Sequence, residues 1–383
     1  MNSYYLIFCV LPFIFTMILR PVKTHQENDI TFRKQIILDS FISEGAACAD
    51  LNNDGRKDIV AGHYWFEAPS WKKHEVRTPE QFDYTKGYSH SFLNFCYDVD
   101  YDGWIDYICF DFPGTGVYWY KNPGNLNTHW EEFLIDSNAC NESPMFLDLD
   151  GDTLMDLVFG RETTGEMIWY EAPQKDHSLQ WTENIISMPD SKGTGRYSHG
   201  LGAGDVNGDN RKDIIIREGW WEAPEQPQRS KWKFHATELG EPCSQIYAED
   251  FDGDGDADIL SASAHAYGIW WHEQKEGGFR RHLIDSSFSQ THGIAQADIN
   301  NDGAIDFVTG KRFYAHQGKD PGGLEPAVLY WYEKSASSSH WIKHLIDDDS
   351  GAGLQVVIED IDGNGKLDIL NSNKKGIIVF FQE

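Results

Sequence analysis

Asp205-Val206-Asn207-Gly208-Asp209-Asn210-Arg211-Lys212-Asp213 reads as an acidic turn with polar positions 1, 3, 5 and 9, and the chain carries seven such turns. The other copies place those positions at Asp50, Asn52, Asp54 and Asp58; Asp98, Asp100, Asp102 and Asp106; and Asp148, Asp150, Asp152 and Asp156. The last three have Asp250, Asp252, Asp254 and Asp258; Asp298, Asn300, Asp302 and Asp306; and Asp360, Asp362, Asn364 and Asp368. Spacings between first positions run from 45 residues (Asp205 to Asp250) to 62 (Asp298 to Asp360), the period of a propeller blade or a solenoid turn.

Carboxylate and amide oxygens at positions 1, 3, 5 and 9 are the donors of a hard cation, so each turn is expected to hold structural calcium, up to seven ions in all. Left empty, the facing oxygens would repel one another. Position 6 needs a left-handed backbone, which Gly55, Gly103, Gly255, Gly303 and Gly365 adopt without steric cost and Asn210 tolerates. Thr153 does not, so the third turn is expected to bind most weakly.

Around each turn the pattern is β. In the sixth repeat the spacing predicts strands over Gly293 to Ile299, Ile305 to Thr309, Ala327 to Glu333 and His340 to Ile346. The third strand recurs as Val117-Tyr-Trp-Tyr120, Ile168-Trp-Tyr170, Ile269-Trp-Trp271 and Ile378-Val-Phe-Phe381, aromatic rows that pack between sheets. The fourth recurs as Trp130 to Asp136 and Phe279 to Asp285, and a matching copy, Phe32 to Asp39, precedes the first turn. The last repeat stops after its third strand. The expected fold is therefore all-β, a seven-bladed propeller over residues 30–383 with four-stranded blades, the last closed by the N-terminal strand.

The formal charge of −29 falls to about −15 with seven divalent ions bound, and an acidic body repels nucleic acid and anionic lipid. Tyr4 to Leu19 is an apolar run too short for a comfortable membrane span; within residues 1–25 it reads as a secretion signal or an uncleaved anchor. Export to the periplasm, cell surface or medium suits calcium turns. Cys48 and Cys96 read as small buried residues, and Cys140 and Cys243 are near enough in loop character to pair, with no disulfide framework implied.

The turns, their number and the Gly204-Asp-Val-Asn-Gly-Asp209 phrasing resemble FG-GAP/VCBS-type repeats, as in integrin alpha-subunit propellers. The resemblance implies the fold and calcium; for function it implies an adhesion head, a sugar-binding module or a catalytic domain, as in rhamnogalacturonan lyases and aldos-2-ulose dehydratase.

With the acidic turns at one face, the connections into strand one and between strands two and three lie on the other, and these are rich in His, Arg, Lys and Tyr. His90, Tyr197, His199 and His292 come from the first set, and His63, Arg161, Arg217, His265, Lys311, Arg312 and His316 from the second. His199 and His292 share a register, six residues before the first Asp of their turns. A cationic, aromatic rim suits an acidic or keto sugar within a poly- or oligosaccharide. His199, His292, Tyr197 and His90 are the candidate acids and bases of a β-elimination, and Arg217, Arg312, Lys311, His316, Arg161, His63 and His265 the candidate substrate grips. A histidine-bound transition metal in the same pocket is a weaker reading, since no H-x-H or H-x-x-x-H spacing supports it. Glu162 and Glu218, beside Arg161 and Arg217, read as ion-pair partners rather than a glycosidase couple. The long connection Lys311 to Pro326 reads as a lid or a wall. The alternative function is a non-catalytic propeller that binds a glycan or a protein.

Overall fold

In the computed structural model, which describes residues 30–125, 128–175, 179–241, 245–335 and 340–383, the Phe32–Leu38 strand pairs antiparallel with Gly376–Gln382, Phe32 opposite Gln382 and Ile36 opposite Ile378. That pairing puts the N-terminal strand at the outer edge of a sheet whose other members are Asp368–Asn373 and Val356–Glu359. The closure expected from the missing fourth strand is therefore present. The proposed signal segment and Cys243 lie outside the described residues.

The chain is all-β; among the described residues the one helical element is a single 3-10 turn, Ala315–Gly318. Its antiparallel sheets form a propeller. The sixth repeat shows the plan, Ile294–Ala297, Asp306–Gly310, Leu329–Lys334 and Trp341–Asp347 in that order, with Ala297 opposite Asp306 and Tyr332 opposite Lys343. Second strands such as Asp306–Gly310 and Asp106–Phe110 are buried at every residue because a neighbouring sheet covers each face. Fourth strands alternate and carry charge on the exposed edge, as Arg280 and Lys34 do, which discourages pairing with other chains.

Four-strand units are joined in two places. Glu131–Leu147 serves first as an outer strand, Leu134 opposite Tyr118, and then as an inner one, Phe146 opposite Leu157. Leu201–Gly204 pairs parallel with Gln245–Glu249, and Gly202 is required there: a Cβ would stand 2.0 Å from the Ile246 carbonyl oxygen. Counting the long strand twice, the strand pairing among the described residues divides into seven four-strand units. Consecutive units share apolar clusters, and Ile42, Ile59, Ile361 and Leu370 join the last to the first.

The turns follow the expected geometry. Position 6 is left-handed in all seven, φ from +64° at Asn210 to +95° at Gly255 with Thr153 at +77°. The first Asp accepts the position-6 N–H at 2.7–3.2 Å in each. Position 9 has a further task that spacing did not indicate. Asp58, Asp106, Asp156, Asp213, Asp258, Asp306 and Asp368 are buried at the head of the second strand. Their Oδ1 accepts an N–H at or just past the end of the third strand at 2.7–3.2 Å, so each carboxylate pins the head of the second strand to the end of the third.

The aromatic rows pack as read: Trp119, Trp169, Trp271 and Trp331 are buried. In four units the third-strand Trp also stacks on a fourth-strand His whose Nε2 meets a Glu two residues after the Trp. These sets are Trp65, His74 and Glu67; Trp220, His235 and Glu222; Trp271, His282 and Glu273; and Trp331, His344 and Glu333, with ring separations of 4.1–4.7 Å. Cys48 and Cys96 are partly and not fully buried, though loss of solvent around the thiols raises Cys48 to about 12 and holds Cys96 well above the usual value. Cys140 is buried, its Sγ 2.9 Å from the Thr194 carbonyl oxygen.

Candidate functional site

Opposite the acidic turns the approaches to several first strands are buried, as at 41–47, 91–94 and 289–295, and the residue six before the first Asp lies in them. The register that relates His199 and His292 also holds Glu44 and Glu142. Its apolar members are Phe92 and Leu354, and Ser244 lies outside the described residues.

These side chains meet. Arg312 Nη2 lies 3.1 Å from Glu44 Oε2 and Nη1 lies 3.6 Å from Glu142 Oε2, while Glu142 Oε2 is 3.3 Å from His199 Nε2. Tyr88 stacks between two cations, 5.1 Å from the Arg312 guanidinium and 4.3 Å from Lys374 Nζ, and its hydroxyl accepts the His316 N–H at 3.2 Å. Ring centroids separate His199 from His265 by 4.6 Å, His199 from His292 by 5.5 Å and His265 from His292 by 5.3 Å. His316 stands 4.7 Å from His265. Asp320 Oδ2 accepts from His316 Nδ1 at 2.8 Å, His265 Nδ1 at 3.3 Å and Gln290 Nε2 at 3.0 Å. His292 and Arg312 are fully buried, whereas the side chains of His265 and His316 are 38% and 39% exposed, so the cluster has a closed floor and an open upper side.

The charges are strongly coupled. Burial works against a charged His199, but the Glu142 carboxylate outweighs it and holds the imidazole above its usual value. Burial likewise opposes the Glu142 carboxylate, yet His199 and Arg312 bring it down to about 2. His292 falls well below the histidine range through burial, with Arg312 and the other imidazoles adding to it. Burial lowers Lys374 to about 8.

The connection Lys311 to Pro326 forms a wall of this cluster. Lys311 is buried and donates to the carbonyls of Gly323 and Arg312, so it braces the wall instead of offering a grip. Tyr314, His316 and Gln317 are all left-handed, at φ +54°, +47° and +58°, a conformation that costs non-glycine residues on the order of 1 kcal/mol or more each. That backbone presents the His316 ring beside His265.

Several expected site residues lie elsewhere. His90 pairs with Asp111 at 3.0 Å and the His63 ring stacks with Phe82 at 5.7 Å, in a separate group. Tyr197 is 56% exposed and contributes its carbonyl, which accepts His199 Nδ1–H at 2.8 Å. Arg161 is tied to Asp136 at 2.6 Å and Glu183 at 2.7 Å, and Arg217 to Glu218 at 3.3 Å and Glu238 at 3.6 Å, so neither is an open anion grip. Glu162 pairs with Arg196 at 2.8 Å and not with Arg161. Glu44, Glu142, Gln290 and Asp320 were not singled out from the sequence; the first two stand in the register that had exposed the histidines.

At the other face two of the acidic turns have a carboxylate spacing that suits a hard divalent cation. Asp98, Asp100 and Asp106, and likewise Asp148, Asp150 and Asp156, bring carboxylate oxygens within 4.8 Å of one another, a spread that ligand distances of about 2.4 Å span. Lys121 bridges Asp100 and Asp102, and Lys275 bridges Asp252 and Asp254, supplying local counter-charge. Between the first strands a cavity of ≈ 320 Å³ is lined by residues such as Leu93, Phe95, Met145, Leu201 and Ile246 and has no carboxylate, imidazole or ammonium group in its wall.

FG-GAP-like repeats match residues 98–159, 148–216 and 250–309. No curated protein matches the chain. Among solved structures, the chain is similar to BBS1N in complex with ARL6DN (8% identity, TM-score 0.56, 92% of this chain and 96% of that one). Lower TM-scores relate it to an Agrocybe aegerita lectin described as recognising non-reducing terminal N-acetylglucosamine (14% identity, 0.48, 92% and 85%) and to the rhamnogalacturonan lyase YesW (11% identity, 0.45, 91% and 72%).

Proposed function

We propose that this FG-GAP-like repeat protein is an exported, calcium-stabilised propeller that acts on carbohydrate by β-elimination from an acidic or keto sugar. One observation carries the reading: His316, oriented by Asp320 at 2.8 Å, stands half-exposed over a floor of buried imidazoles and the Arg312–Glu142 pair. The His316 ring is half-exposed where a sugar ring can reach it, whereas His199 and His292 lie beneath it. The base role expected of those two passes to His316.

In the proposed reaction His316 takes the proton on the carbon next to a carboxylate or carbonyl. The electrons form the new C=C bond, the C–O bond at the β position breaks, and the departing oxygen takes up a proton. Arg312 is buried and already paired with Glu44 and Glu142, so it is no open anion grip, and the developing enolate is met by the half-exposed His265 beside His316. The left-handed backbone at Tyr314, His316 and Gln317 supports this assignment, since such strain persists where the surroundings hold a side chain in place.

Incubation with uronate-containing polysaccharides and with keto-sugars, followed by absorbance of the conjugated product, tests the proposal. Product formation abolished in His316→Ala and Asp320→Asn, with melting temperatures unchanged, is the expected result. Glycan binding without product in the parent protein overturns the elimination and leaves a non-catalytic binding propeller. Export is tested separately, by sequencing the N-terminus of the protein recovered outside the cytoplasm.

A further inference from the structure

We propose that His199, His265 and His292, with Glu142 as a fourth donor, hold a divalent transition-metal ion of the zinc class at the floor of the rim pocket. The inference goes beyond the proposed elimination and does not depend on it.

Three imidazoles at one point already require explanation. Each offers a ring nitrogen within 4.8 Å of the other two. A tetrahedral site with metal–nitrogen bonds of about 2.05 Å separates its ligand nitrogens by about 3.3 Å, so closure onto an ion needs shifts of the order of an ångström.

The tautomers are set for ligation. His199 Nδ1 meets the Tyr197 carbonyl at 2.8 Å and His292 Nδ1 meets the Gln290 carbonyl at 3.3 Å. A carbonyl only accepts, so both Nδ1 atoms carry hydrogen; His292 Nε2 is left for another partner, and His199 Nε2 faces Glu142, where a bound ion would take the place of the proton. His265 Nδ1 meets the Asp320 carboxylate, the arrangement that orients a metal-bound histidine through its far nitrogen.

The third observation is independent of the cluster's composition. His292 is fully buried and its Nε2 has no hydrogen-bond partner among the described residues. An acceptor left so keeps its full desolvation penalty, and a cation at the centre of the three rings removes it. The His199–Glu142 ion pair accounts for two members but satisfies neither His292 nor the convergence of His265. Glu142 Oε2, 3.3 Å from His199 Nε2, brings the negative charge that a divalent ion wants.

Donor type separates this site from the acidic turns. Imidazole selects zinc and its neighbours, while carboxylate and amide oxygens select calcium. The propeller would then carry two classes of metal on opposite faces. Above the ion, the open side beside His265 and His316 leaves room for a substrate oxygen.

The test is calorimetric titration of the metal-stripped full chain with Zn2+ in saturating calcium, and with Co2+ followed by visible absorption. One equivalent is expected to bind, with a tetrahedral or five-coordinate cobalt spectrum. His292→Ala and His199→Ala are each expected to weaken it at least about 100-fold, beyond the 10–100-fold typical of losing an orienting partner, while His90→Ala changes nothing. His265→Gln, at a half-exposed position, serves if the buried variants fail to fold. No stoichiometric binding, or binding equal in the parent and in His265→Gln, overturns the proposal. Because no substrate is present in the titration, a protein that binds zinc but makes no product sinks only the elimination, and one that makes product but binds no zinc sinks only the metal.

Discussion

Glu44 and Arg312, 268 positions apart in sequence, form an ion pair of 3.1 Å in which both side chains are buried. The contact joins the approach to the first unit with the wall supplied by the sixth. Removing one partner leaves a buried charge uncompensated, at a cost of about 3–5 kcal/mol. Glu44→Gln is expected to destabilise the fold toward the lower end of that range, because Glu142 remains 3.6 Å from Arg312. Urea unfolding measures it. A loss below about 1 kcal/mol would mean that the pair carries little stability.

The acidic turns are expected to make stability depend on calcium by mass action. Adding EDTA to the purified protein should lower its melting temperature, and added calcium should restore it; an unchanged melting temperature excludes structural calcium.

Thr153 tests the same turns at one residue. Its φ of +77° is unfavourable for a branched side chain, so Thr153→Gly should stabilise the calcium-bound protein by about 1 kcal/mol. Calcium affinity of the third turn should rise with it, read by titration. Stability equal to or below that of the parent would contradict the strain argument.

Closure of the sheet predicts the effect of truncation. Gly376–Gln382 is buried along its whole length, and Phe32–Leu38 covers its free edge. A chain beginning after Asp39 should expose a long apolar edge strand and self-associate. Light scattering and size-exclusion chromatography distinguish this from a monomer with a frayed end.

His272 predicts a pH dependence. It is buried against Ser261, 2.8 Å from its Oγ, and burial, with the charges of Arg281 and His282 adding to it, lowers its pKa to about 4. Between that value and about 6.5, the unfolded chain binds a proton that the folded chain does not, so stability falls as pH falls through this window. The full effect is about 3 kcal/mol. His272→Gln should flatten the decline between pH 6.5 and 4 in denaturant titrations; an unaltered slope would assign it to other groups.

The repeats announce themselves because their chemistry is local. Nine residues supply both the donors and the left-handed turn, and Asp58 or Asp306 lies in the same short segment as the oxygens it accompanies. Strand order and closure follow from counting, since the last repeat lacks the strand that Phe32–Leu38 supplies. The register six residues before each turn was also legible, though only its histidines drew notice; an acidic residue on so acidic a chain stands out less than an imidazole does. Arg161 and Arg217 were misplaced for the opposite reason, because composition cannot tell a free cation from one already held by Asp136 or Glu238.

Read as a string, the chain declares an all-β array of acidic turns and the means of shutting it, because those features depend on neighbours within one repeat. Which of its 15 histidines meet is another matter. His199, His265, His292 and His316 come from three units, with 117 positions from first to last, and Glu142 and Glu44 come from further away still. Their meeting depends on how the sheets turn about a common axis and on how the 311–326 wall folds back, distances that no local spacing encodes.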